Sequence, residues 1–305
     1  RGESVMTAVW RLNIKTAALE GVDPRKFCIE KQILGVGWPV DCNDKVDWDT
    51  YYKLGESEYY NQGDNGWWPA LNAIKNRMQL GDLCWTRDWD GVYYLGRIAG
   101  EWMYSNDQEN RAADVVNFRD CIWKKVGEVD AVPGKVVNSF IPARTVQAVD
   151  DESVRLYSKF LYNFLSEYPH YALEPISPDL FTLISSEDCE DLVGLFLQEQ
   201  GYRLIPSSCK ADTAAYEFVL KHNETGNSAV AQVKQGFVNL TIGDYSALPS
   251  MVYLFTSHGS YVGATARNVR CIDPQDLLKF AIEKRNVMSD RIKTWFAILD
   301  ALRHV

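Results

Sequence analysis

Residues 216–234, Tyr-Glu217-Phe-Val-Leu-Lys-His-Asn-Glu-Thr-Gly-Asn-Ser-Ala-Val-Ala-Gln232-Val233-Lys234, decide how this chain is read. Two β-rich runs, 216–222 and 229–234, flank the turn-forming Asn-Glu-Thr-Gly-Asn at 223–227, the kind of segment that joins antiparallel strands. Side chains alternate along a strand, so Gln232 and Lys234 project from one face and Ala231 and Val233 from the other. Glu217 stands fifteen residues before Gln232, across the hairpin, and is expected to face the same pocket. A carboxylate, an amide oxygen and an ammonium then converge. Oxygen donors of that kind hold a hard divalent cation, and a lysine supplies positive charge to a developing phosphorane. Gln and Lys two apart also suit a solvated strand face, so the spacing alone leaves both readings open.

Working outward, a Ser-Glu-Asp cap at 186–188 precedes the amphipathic run Leu192, Val193, Leu195, Phe196, Leu197, and Gly201 stops that helix. Further β-rich runs at 202–206, 251–256 and 268–272, and closing helices at 274–284 and 290–303, predict a mixed sheet flanked by helices. The run from Cys189 to Gly236 resembles the catalytic domain of Mrr-like restriction endonucleases, the branch of the PD-(D/E)xK nuclease superfamily that uses Q-x-K. The resemblance rests on Glu190 on the first helix, Gln200-Gly-Tyr202 at its end, Asp212 and Glu217 before the hairpin, then Gln232-Val233-Lys234, and it covers residues 180–305. It implies that Glu217 or Asp212 is the metal-binding acid, that Gln232 and the Val233 carbonyl complete a Mg²⁺ or Mn²⁺ site, that Lys234 is the catalytic lysine and that Glu190 supports them. The usual D-G-G-I-D run reads Asp212-Thr-Ala-Ala-Tyr-Glu217 here, one residue longer. That leaves open which acid takes the main position and whether the activity is intact.

Nine of the ten tryptophans precede residue 150, which marks the first half as a different domain. Short β-runs at 33–40, 82–86, 92–98 and 136–140, with one helical stretch at 68–78, predict a small β-barrel. A helix over 151–166 and a proline-bearing linker follow, giving domains at 6–150, 151–180 and 181–305. The order Ile33-Leu-Gly-Val-Gly-Trp38-Pro, Gly81-Asp82-Leu-Cys-Trp85 and Tyr93-Tyr-Leu-Gly96-Arg-Ile98 resembles PUA-like β-barrels of the EVE and YTH kind. The fold class expected is therefore α+β, with a PUA-like β-barrel followed by a restriction-endonuclease-like α/β domain. Domains of the PUA-like class are associated with reading modified or flipped bases. A flipped base is held by aromatic stacking and by hydrogen bonds to its edge, so Trp38, Trp85, Trp89, Trp102 and Asp82 are the candidate base-binding residues. Each tryptophan also suits core or rim packing, and Asp82 suits a turn. Arg87, Arg97, Arg111, Arg119, Lys124 and Lys125 are candidate phosphate contacts.

The composition constrains the rest. Hydrophobic residues make up 46% and charged residues 24%, as in a globular protein with a sizeable core. Seven scattered cysteines without a C-x-x-C pair, and four scattered histidines, argue against a disulfide framework and a zinc site. No run is long and apolar enough for a membrane span, no secretory signal is visible, and a cytoplasmic location is expected. No G-x-x-x-x-G-K-[ST] loop is present, so a P-loop ATPase is excluded. A net charge of −9 confines DNA contact to a local basic patch. The expectation is a metal-dependent endonuclease hydrolysing DNA phosphodiester bonds, restricting modified or foreign DNA in phage defence. It would act as a homodimer because two strands are cut, with or without partner proteins of a defence system. The alternative is a catalytically impaired nuclease fold serving as a nucleic-acid or nucleotide sensor in antiviral defence, and an RNA-directed effector is a third reading.

Overall fold

In the computed structural model, residues 7–42, 45–142, 144–173, 178–210 and 216–303 are described. The chain divides into two compact units. One holds the residues up to Val132 together with Val136–Pro178, and the other holds Pro133–Lys135 and the chain from Asp179 onward. Both are mixtures of helices and strands, so the fold class is mixed α+β.

The first unit contains, in chain order, β1 (Val9–Leu12), α1 (Pro24–Glu30), β2 (Ile33–Val36), α2 (Trp48–Glu58), α3 (Trp67–Asn72), β3 (Leu83–Arg87), β4 (Tyr93–Ile98), β5 (Met103–Tyr104), α4 (Gln108–Ala113), β6 (Asn117–Gly127), β7 (Val146–Ala148) and α5 (Glu152–Phe164). The strands form one sheet in the order β2-β6-β4-β3-β1-β7, with β5 also on β6. β6 is its spine: the part near Asn117 pairs with β2 and β5, and the part from Cys121 to Gly127 pairs with β4. β1 lies parallel to β3 and antiparallel to β7. Among the described residues the expected barrel is not closed: β2 and β7 are the two ends of the strand order, and the sheet is a curled half-barrel. The expected strand at 136–140 is also corrected, since Gly134–Ser139 is helical. There, tertiary packing of Val136, which is fully buried, overrides the β propensity of two successive valines.

Tryptophan explains the size of this core. Trp10, Trp67, Trp85, Trp102 and Trp123 are all buried, and the polar indole N–H finds a partner in most cases, as burial requires. Trp85 Nε1 donates to Ser158 Oγ on α5 at 3.0 Å, and Trp123 Nε1 donates to the Ile33 carbonyl at 2.7 Å. The helix expected over 151–166 is present as α5 and is packed into this unit. Arg119, proposed from sequence as a phosphate contact, is 1% exposed and instead donates to the carbonyls of Gly100, Ile74 and Met78. Its donors satisfy the irregular π-helical turn over Ala73–Arg77.

The second unit contains α6 (Leu180–Leu183), α7 (Ser186–Glu199), β8 (Tyr202–Leu204), β9 (Phe218–His222), β10 (Ser228–Lys234), β11 (Leu240–Thr241), β12 (Met251–Thr256), β13 (Tyr261–Val262), β14 (Val269–Cys271), α8 (Pro274–Glu283) and α9 (Asp290–Arg303). Ser185 and Asp188 form a reciprocal capping box at the start of α7, and Gly201, at φ +92°, ends it. The sheet order is β14-β12-β10-β9-β8, parallel from β14 to β10 and antiparallel from β10 to β8. β10 is the central strand, which places Gln232 in the middle of the sheet and Lys234 at the strand's last position.

Asp82 is 2% exposed and accepts from Ala8 N, Gln79 N and Trp10 Nε1 at 2.9–3.0 Å. Asp82→Ala is expected to deprive three donors of their acceptor, the buried Trp10 indole N–H among them, and to cost about 2 kcal/mol in chemical denaturation, with Asp82→Asn costing less because one acceptor oxygen survives.

Candidate functional site

Gln232 is a polar side chain in a strand that is buried on both faces, and it is only 2% exposed. A buried amide must find partners. The antiparallel register sets Ala231 against Phe218, and Glu217 N donates to the Ala231 carbonyl, so Glu217 lies across from Gln232 on the same sheet face. Gln232 Nε2 donates to Glu217 Oε1 at 3.0 Å, and Lys234 Nζ reaches the same oxygen at 2.8 Å. One carboxylate oxygen thus collects both donors. Gln232 Oε1 is buried and has no hydrogen-bond partner among the described residues. An orphaned amide oxygen beside a carboxylate is an oxygen pair that suits a hard divalent cation. The Val233 carbonyl belongs to the same strand end.

Glu190, on α7, is coupled to this cluster by charge. Burial first, then the negative charge of Glu217, raise its carboxyl above the ordinary value, while Lys234 works the other way. Among the described residues no hydrogen bond joins Glu190 to the other three. It lines a cavity of about 410 Å³ with Asp191, Gly194, Phe218 and Met288. Phe218 points to the sheet face opposite Glu217, so Glu190 acts on the cluster from beside it. Tyr245 was not singled out from the sequence. Its hydroxyl is raised above the ordinary value by burial, then by the charges of Asp244 and Glu217. Its position on the short turn after β11 gave no local signal. Asp212 lies outside the described residues. Among those described, no group of three or more His, Cys, Asp or Glu side chains is gathered as a metal site.

In the first unit the candidate base-binding residues do not share one pocket. Trp85 is fully buried, and Trp102 is 8% exposed and packs edge-on against Trp48 at 5.0 Å, so both are core rather than pocket walls. Asp82 is the buried acceptor described above, not an edge reader. Trp89 is 64% exposed at the β3–β4 turn, with the Arg25 guanidinium stacked 3.8 Å over its ring. Arg25 also ties the base of that turn through the carbonyls of Arg87 and Asp88.

Trp38 lines a cavity of about 490 Å³, with Gly37, Tyr59, Asp64, Arg111 and Asp114 among its walls. Trp38 sits at φ +64°, a left-handed conformation that a bulky residue rarely adopts and that surrounding structure must enforce. Its carbonyl accepts from Tyr51 Oη at 3.0 Å, and its Nε1 donates to Asp64 Oδ2 at 3.0 Å. Burial pushes the Asp64 carboxyl up, but hydrogen bonds from Trp38, Gly66 and Trp67 hold it below its usual value. A Cβ at Gly37 would stand 2.5 Å from Asp114 Oδ2, so a larger residue there would have to displace the Asp114 side chain. Asp114 accepts from Ala17 N at 2.8 Å, yet burial raises its carboxyl. Tyr59, Asp64 and Asp114 were not foreseen from sequence, because together with Trp38 they come from three separate segments, with Tyr59 and Asp64 on one turn. A wider groove of about 770 Å³ runs past Trp10, Trp68, Arg77, Arg144 and Gln147, and its walls carry two arginines and no acid.

No family model matches the sequence, and no curated protein matches it. Among solved structures, the DNA modification-dependent restriction endonuclease AspBHI aligns over 96% of this chain and 84% of its own, at 11% identity and a TM-score of 0.20. A likeness that slight carries no argument about fold or function, so the chemistry stands on the geometry.

Asp114 binds its proton more tightly when folded, so its charge costs nothing below the unfolded value of about 3.9 and costs most once pH exceeds the folded value. Asp114→Asn, which also suits φ +49°, is expected to raise the melting temperature at pH 7.5, with the gain vanishing below about pH 4.

Proposed function

We propose that this chain is a metal-dependent endonuclease that hydrolyses DNA phosphodiester bonds, with one unit that cuts and one that reads a modified base. The observation that carries the reading is the convergence of Gln232 and Lys234 on one oxygen of Glu217. The donor set fits Mg²⁺ or Mn²⁺: Glu217 and the orphaned Gln232 Oε1 would hold the ion, with the Val233 carbonyl and Asp212 as further oxygens. When bound, the metal supplies charge neutralisation at the phosphate and a water of lowered pKa. Lys234 fixes the attacking side by presenting an ammonium, and Glu217 orients that ammonium in the resting site. Glu190 adds a carboxyl beside the cluster, raised by burial and by the charge of Glu217.

The reader half of the proposal rests on the Trp38 cavity. A ring held in a strained backbone, two carboxylates and Arg111 offer a stacking face and hydrogen-bond acceptors to an extruded base. The acid-free groove of Arg77 and Arg144 offers the local basic patch that a chain of net charge −9 needs in order to meet phosphate. Two strands require two cutting units, which supports a homodimer on DNA in phage defence.

A sensor without catalysis is the second reading. It is favoured by Glu217 being the one carboxylate within hydrogen-bonding reach of Gln232 and Lys234 among the described residues.

Plasmids bearing unmodified, methylated, hydroxymethylated or glucosylated cytosine, incubated with Mg²⁺ or Mn²⁺, separate the readings. Lys234→Ala is expected to lower cleavage by roughly 10²- to 10³-fold while DNA binding persists, since one charged group at the developing charge is removed. Its stability should barely change, because a partly exposed ion pair contributes about 0–1 kcal/mol. Retained cleavage in that variant, or none by the wild type on any substrate, would overturn the nuclease reading. Gln232→Glu sets two carboxylates side by side, so its melting temperature should fall without metal and rise more steeply than the wild type's with Mn²⁺.

A further inference from the structure

We infer that Phe237 is a built stacking platform for a nucleobase close to the scissile phosphate, an assignment that rests on the nuclease reading of the neighbouring Glu217, Gln232 and Lys234. The ring is 78% exposed, the largest such exposure of an aromatic residue in the second unit among the described residues. An exposed phenylalanine on a loose loop would need no explanation. This loop, however, is held at nearly every residue.

Gln235 Nε2 donates to the Phe181 carbonyl at 2.9 Å and also to that of Ile184. Gly236, at φ +87°, donates its N–H to Ser257 Oγ at 2.8 Å, and its carbonyl accepts from His258 N at 3.2 Å. The Val238 carbonyl accepts from Thr256 Oγ1 at 2.7 Å, and it packs so closely on Gly259 that a Cβ there would lie 1.9 Å away. Asn239 Oδ1 accepts from Ser260 N at 2.9 Å. The backbone on both sides of Phe237 is therefore fixed, and the ring is presented rather than left over.

Its underside is equally organised. The His258 imidazole lies against the Phe237 ring, with centroids 5.3 Å apart and planes at 35°. Both imidazole nitrogens are engaged, Nδ1 with Ser257 Oγ at 2.9 Å and Nε2 with Asp179. The Lys135 ammonium stands over the ring, 5.7 Å from its centroid. An aromatic face flanked by a cation is the combination that binds a base and its phosphate without reading sequence. Phe237 follows Lys234 by three residues, a reach of about 10 Å at most, which is about three base steps of one DNA strand. A ring so placed can hold the substrate strand in register with Lys234.

The test uses the full chain and duplexes carrying 2-aminopurine within three steps of the cut on either side, with Ca²⁺ replacing Mg²⁺. The wild type should change the fluorescence of the probe at one position. Phe237→Ala should weaken binding by roughly 5- to 150-fold and abolish that change. Phe237→Leu, apolar but without a π face, should behave likewise, and both variants should keep the wild-type melting temperature. Unchanged affinity and fluorescence in Phe237→Ala, full affinity in Phe237→Leu, or conversion of a dimer to a monomer by Phe237→Ala would each overturn the inference. The last outcome would assign the ring to a second copy of the chain. A wild type that binds and signals but never cuts overturns the nuclease reading and leaves stacking intact. Normal cutting with an indifferent Phe237→Ala does the reverse, and a wild type that fails to bind DNA overturns both.

Discussion

Burying an amide in the middle of a sheet is expensive unless its hydrogen bonds are made, and that constraint organises the second unit. Gln232 sits on β10, the strand with neighbours on both sides, where an apolar residue would pack without cost. Its Nε2 is satisfied by Glu217, which brings a carboxylate to the sheet surface, and the same oxygen draws Lys234 inward from the strand end. The amide oxygen remains without a partner. Buried polar networks that are only partly satisfied are unfavourable for stability, so this cluster costs the fold more than an apolar pair would.

The architecture around it follows from the same requirement. β9 must run antiparallel to β10 to bring Glu217 opposite Gln232, and the Asn223–Asn227 turn, with Gly226 at φ +68°, provides that reversal. β12 must run parallel on the other side, which fixes the loop after Lys234 against Ser257 and His258. The rigidity of that loop is a consequence of the sheet order.

The first unit solves a different problem. It buries five tryptophans, and most of their indole N–H groups are consumed by internal acceptors. With those rings in the core, Trp38 is a half-buried ring that lines a cavity, and its backbone is strained. Strain of that kind is maintained only where the surroundings enforce it, here by Tyr51, Asn117 and Asp64.

Local patterns determined much of the second unit. The cap before α7, the glycine after it, the hairpin turn and the period-two alternation of β10 are properties of neighbouring residues, so the mixed sheet and the shared face of Glu217, Gln232 and Lys234 were legible in the sequence. The unit boundaries could be approached but not drawn, because the helix at 152–164 is amphipathic in any setting and only packing assigns it to the first unit. The open edge of the first sheet, the helix at Gly134–Ser139 and the burial of Trp85, Trp102 and Asp82 were decided by tertiary structure alone. Aromatic composition cannot distinguish a ring in a core from a ring in a pocket wall, since both require a large flat apolar surface. Nor can spacing announce a pocket assembled from Trp38, Tyr59, Asp64 and Asp114, or a platform in which Phe237 rests on His258. Those residues meet only because strands distant in sequence pair, and pairing over such distances is set by the whole chain's burial, not by any one segment.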